Sequence, residues 1–284
     1  MHREVLQKIA VSYLATLSSV GDFRARGPAF LGALMGWARP AAGGLSMGFY
    51  PIKCAFHLSF YEQSMGTVLL PFLLFLPSYL LEALRLRRQG LPFTAEQKVA
   101  YAVLVAFLLY PSVVDTILKV IPCHWPDVQG QRYLSADLSV HCYDGKHLAA
   151  LVCSGAVLLG YALGLPALIF YLLKEKKSLG GFQFLLEGYD VERCPWWEAV
   201  VMLRKLVLQG VSVLLSDVFV QTSVASWVLL LALLLQGVYH PYSSAFMNRL
   251  DVAVLVVLFA TQSLSSFYYT MDQQRSGCIT GEGG

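Results

Sequence analysis

From Phe219 to Tyr239 the chain carries no charged side chain at all. At ~1.5 Å rise per residue, about 20 apolar residues cover the ~30 Å hydrocarbon core of a bilayer, so this run crosses alone. Lipid offers no partners to backbone polar groups, which restricts such a segment to a helix. Further apolar runs of similar length recur along the 284 residues, 56% of which are hydrophobic and 14% charged. Soluble domains carry about 25% charged residues, and a soluble core could not hide this much apolar surface. The net charge of +3 is small, and the basic residues form short clusters between apolar runs, so nucleic acid is not an expected partner.

Hydropathy and periodicity predict helices over Glu4–Val20, Met65–Leu86, Lys98–Ile121, His147–Leu173, Trp197–Leu215, Phe219–Tyr239 and Leu250–Tyr269. The expected fold is all-α: a polytopic bundle of about seven membrane helices over residues 1–270, then a disordered tail over 271–284, Gly-rich over Ser276–Gly284. The first helix has an apolar stripe of Val5, Ile9, Tyr13 and Leu17 and a polar stripe of Lys8, Ser12, Thr16 and Ser19. That pattern suits either a spanning helix or one lying in the interface. Asp22 and Arg24 follow it where a cleaved signal peptide would have small residues.

Arg85, Arg87, Arg88 and Lys98 crowd the second connection, and Lys174, Lys176, Lys177 and Arg193 mark the fourth. Basic connections stay on the cytoplasmic side, so both are expected there, with the long segments Gly21–Ser64 and Pro122–Lys146 outside. Arg24, Arg26, Arg39 and Lys53 run against this in the first external segment, where they are dilute.

Pro71, Pro77, Pro111 and Pro166 fall inside predicted spans, where each removes an intrahelical hydrogen bond. They act either as packing irregularities or as hinges. Charges within spans are costly and mark candidate polar positions. Asp115 and Lys119 are one helical turn apart and can pair. Glu198, Arg204 and Lys205 share the fifth helix. They either snorkel to the interface beside Trp196 and Trp197 or face a hydrated path, with Glu198 at its cytoplasmic mouth.

Of six cysteines, Cys123 and Cys142 share one connection expected outside, where disulfides form. The same connection reads Cys123-His124 and His141-Cys142, with His147 beyond, so a metal site is the alternative. Adjacent Cys-His pairs lack the usual two-to-four-residue ligand spacing, which favours the disulfide and predicts no metal. No phosphate loop, dinucleotide fingerprint, zinc-protease motif or nucleophile elbow occurs, so neither an enzyme nor a cofactor is expected.

The order Tyr133-Leu134-Ser135-Ala136-Asp137, Cys142, His147, Leu163-Gly164-Leu165-Pro166, Gly188-Tyr189, Trp196-Trp197-Glu198, Arg204-Lys205 and His240-Pro241-Tyr242 resembles the membrane region of transient-receptor-potential-like (TRP-like) proteins of algae and protists. Lys8-Ile9 and Leu109-Tyr110-Pro111 are similar to further motifs of that family. The resemblance runs from about Lys8 to Tyr269. It departs at Gly27-Pro28, where the family tends to Trp-Pro, and at Cys142-Tyr143, where it tends to Cys-Trp. It implies a plasma-membrane channel or sensor. In the family, extracellular cysteine-rich, ephrin-receptor-like repeats precede this region; their absence from the sequence is what a fragment or a divergent copy would show.

Two function classes follow: a cation-conducting or transporting bundle, and a non-conducting anchor or relay module of a larger receptor-like protein. The expected partners are the lipid bilayer, cations and further copies of the chain.

Overall fold

The protein was analysed as a computed structural model, which describes residues 59–90, 95–123, 131–174, 186 and 188–280. The expected helix at Glu4–Val20 lies outside these residues, as do residues 281–284. Six helices are described: α1 (Phe60–Arg88), α2 (Ala95–Lys119), α3 (Gly145–Lys174), α4 (Trp197–Leu214), α5 (Val218–Tyr239) and α6 (Ala245–Thr280). Between α2 and α3 stands a short antiparallel hairpin, β1 (Tyr133–Leu134) and β2 (Asp137–His141). Periodicity did not announce this hairpin, because two strands of this length carry too few alternations to read.

Local chemistry sets several helix ends. Ser59 caps α1 in a reciprocal box: its hydroxyl accepts from the Glu62 N–H while the Glu62 carboxylate accepts from the Ser59 N–H at 2.8 Å. Asp217 caps α5 by accepting from the Val220 N–H at 2.8 Å, and α5 closes on His240 in the left-handed region at φ 43°. The basic end of α1, Arg85, Arg87 and Arg88, complements the negative end of its helix dipole.

Among the described residues five helices are long and apolar enough to cross a membrane: Phe60–Arg88, Tyr101–Lys119, Gly145–Lys174, Val218–Tyr239 and Ala245–Arg275. Their outward faces carry large apolar side chains. Phe72 is 70% exposed, Trp227 70% and Val238 74%, an arrangement that water would penalise and hydrocarbon would not. α4 forms where the sequence predicted it, but it is not among the five. Its 18 residues include Glu198, Arg204 and Lys205, and at ~1.5 Å per residue they reach only ~27 Å. Seven spans were expected and five stand among the described residues. α6 continues to Thr280, so no break occurs at 270–271, and the segment expected to be disordered is helical that far. Residues 271–276 contain neither Gly nor Pro, and Gln273 Nε2 donates to the Tyr269 hydroxyl one turn back at 3.0 Å.

The chain divides into two compact units. Of the described residues, one unit holds those between 59 and 186 together with Pro195–Leu206, and the other holds Gly188–Cys194 and residues 207–280. In the second unit Leu208 and Val211 of α4, Ala225 and Leu229 of α5, and Leu255 and Leu258 of α6 form one apolar cluster.

Candidate polar sites

Two tyrosines tie α2 to α3 near their prolines. Pro166 has no N–H to give the carbonyl of Ala162, four residues earlier in its helix. The Tyr110 hydroxyl of α2 donates to that oxygen at 2.7 Å. In return the Tyr161 hydroxyl of α3 donates to the Ala106 carbonyl at 2.5 Å, just upstream of Pro111. The two rings lie 5.9 Å apart, and Tyr110 is buried. A π-helical segment, Leu158–Leu163, occupies the turns before Pro166, where a proline ring would otherwise meet the helix backbone. Both helices stay continuous. Pro71 and Pro77 also lie inside the unbroken helix α1.

Cys123 and Cys142 are joined, with an S–S distance of 2.04 Å and Cα atoms 6.3 Å apart. The bridge is reinforced by strand pairing, since Cys123 bridges to Leu134 and the Cys142 N–H donates to the Arg132 carbonyl at 2.8 Å. His147 lies close by: one of its ring nitrogens and the two sulfurs fall within 4.8 Å of one another. With the sulfurs joined, the cluster offers no thiolate ligand. Disulfide sulfurs are not thiolates, and both ring nitrogens of the fully buried His147 are engaged. Its Nδ1 accepts from the Tyr143 N–H at 3.2 Å, and its Nε2 lies 3.1 Å from the Val120 carbonyl, which fixes the proton on Nε2. Tyr143 sits in the left-handed region at φ 64°, a strained place for a non-glycine residue, and the His147 contact helps hold it there.

Asp115 and Lys119 pair at 2.6 Å, as their spacing predicted. Glu198 stands in the first turn of α4, but it is 2% exposed instead of facing an open mouth. Trp197 beside it is equally buried, and the positive end of the helix dipole favours a carboxylate there. Arg204 and Lys205 are half-buried further along α4, and the Arg204 Nε is buried without a hydrogen-bond partner among the described residues.

The second unit buries polar groups that hydropathy did not single out. Near the turn between α5 and α6, Asn248 accepts from the Tyr242 N–H at 3.0 Å and donates to the Tyr242 carbonyl at 2.7 Å. Gln236 Nε2 reaches the same Asn248 oxygen at 3.5 Å. Gly188–Asp190 pairs with this turn: Tyr189 bridges to Tyr242, and the Asp190 N–H donates to the Pro241 carbonyl at 2.7 Å. Gly188 at φ 87° allows that approach. Cys194 follows, buried, its thiol pKa pushed up mainly by burial and further by Asp190. At the opposite end of the seam, Gln221 Nε2 donates to the Ser212 carbonyl at 2.6 Å, serving an oxygen that the end of α4 leaves open. Thr222, Thr261, Gln262 and Ser265 are buried at that end too. The apolar cluster separates the two polar ends. Glutamines in a long apolar run look like interruptions; only the interhelical contacts show that they face inward.

No family model, curated protein or solved structure matches the chain.

Proposed function

We propose that this multi-pass membrane protein is a cation-conducting or transport-like module, closed in this conformation. The observation that supports conduction is the seam of α4, α5 and α6. Buried Gln221, Thr222 and Gln262 lie at one end, Gln236, Asn248 and Asp251 at the other, and an apolar cluster containing Leu208, Leu229 and Leu255 lies between them. Polar groups buried in a membrane helix are costly and mark pathways, and an apolar constriction gates by excluding water. Glu198, a buried acid of the other compact unit, is a separate candidate group for favouring cations. The motif order supports kinship with TRP-like membrane regions, and with it a plasma-membrane location; assembly from several copies is a further part of the proposal.

The second reading is a non-conducting anchor or relay module. It is favoured by the reciprocal Tyr110 and Tyr161 bonds, which tie α2 to α3 as a rigid support would need. Cation flux into liposomes holding the purified protein separates the two. Conduction predicts flux that Glu198→Gln lowers with insertion unchanged; an inserted protein without flux at any voltage, calcium level or membrane tension leaves the anchor.

A further inference from the structure

Gln262 is 1% exposed, and neither its Nε2 nor its Oε1 has a hydrogen-bond partner among the described residues. A primary amide buried without partners is costly, so the surroundings of Gln262 are expected to supply one. The placement of its neighbours says what. Counted outward from the turn between α5 and α6, Leu229 is level with Leu255 and Ala225 with Leu258 in the apolar cluster. One helical turn further out, Thr222 on α5 is level with Gln262 on α6, and both are buried. Thr261 and Ser265, also buried, flank Gln262 on its own helix.

The hydroxyl protons here are already used. Thr222 Oγ1 donates to the Val218 carbonyl at 2.9 Å, Thr261 Oγ1 to Val257 at 2.7 Å, and Ser265 Oγ to Thr261 at 3.0 Å. Each oxygen keeps lone pairs, so the cluster offers acceptors in excess, and among the described residues its uncommitted donor is the Gln262 amide. A bare cation would satisfy the oxygens and leave the NH₂ group orphaned. Water both donates and accepts, and it bridges buried polar groups with two to four hydrogen bonds.

We infer that the Gln262 amide, with the hydroxyls of Thr222, Thr261 and Ser265, forms an internal water-binding site at the α5 N-terminal end of the α5–α6 seam. The site stands whether or not the bundle conducts. It requires only that this end of the seam be hydrated.

The test is water-to-protein magnetisation transfer in solid-state NMR of the full chain in bilayers, with ¹⁵N-labelled glutamine and ¹³C-methyl leucine. The Gln262 side-chain signal is identified by its loss in Gln262→Met and its shift to asparagine labelling in Gln262→Asn; either variant suffices. The site predicts build-up at the Gln262 amide as fast as at the exposed Gln89 amide, while the Leu258 methyls one turn away stay dark. Build-up as slow as at Leu258 overturns the inference. So does an amide shift on replacing sodium by a large organic cation without water transfer, which would make the occupant an ion.

Discussion

Tyr110 carries the most specific residue-level consequence. Its hydroxyl serves a carbonyl that Pro166 leaves open, so Tyr110→Phe should orphan the Ala162 oxygen and cost about 1–3 kcal/mol in reversible unfolding from detergent or lipid. Pro166→Ala restores an N–H to that carbonyl. In the Pro166→Ala background the Tyr110→Phe loss should therefore shrink, and an undiminished loss would show that the hydroxyl acts elsewhere. The motifs Leu109-Tyr110-Pro111 and Leu163-Gly164-Leu165-Pro166 were legible as strings, and Pro166 as a packing irregularity or hinge. Their reciprocity was not, because Tyr110 and Ala162 are 52 residues apart and a tyrosine in an apolar run looks like any other large side chain.

Elements were read with uneven success, for a physical reason. Long apolar runs dominate a hydropathy window, so α1, α2, α3 and α5 begin and end within a few residues of expectation. α6 was cut short because its final turns are polar, and polarity does not stop a helix once its backbone bonds are made. The Cys123–Cys142 disulfide was readable from the compartment expected of its connection; the hairpin and the His147 clamp around it were not. Linking Cys123 to Cys142 across 19 residues should stabilise the protein by about 3 kcal/mol in the chain-entropy account. Mass spectrometry without reduction should recover the linked peptides, and reduction should lower the unfolding midpoint. Two free thiols in freshly purified protein would refute the bridge.

For the whole molecule the first matter is orientation. The basic residues predict that cysteines introduced at Arg88 and Lys176 are shielded from an impermeant thiol reagent in intact cells, whereas one at Gly130 reacts. Reaction at Arg88 would invert the account. The second matter is conduction, which composition could suggest only through residues that look out of place in lipid. Glu198, Arg204, Lys205, Asp115 and Lys119 stood out because they are charged; the neutral Gln221, Gln236, Asn248 and Gln262 did not, although they occupy the buried seam. If that seam is a closed route, its barrier is the absence of water at the apolar cluster. Leu229 is fully buried at its centre, so Leu229→Ser should admit water there. The direct measurement is cation flux into liposomes carrying equal amounts of wild-type and Leu229→Ser protein. A conducting module predicts a clear rise in flux with the variant. Correctly inserted Leu229→Ser protein with no more flux than protein-free liposomes would contradict it.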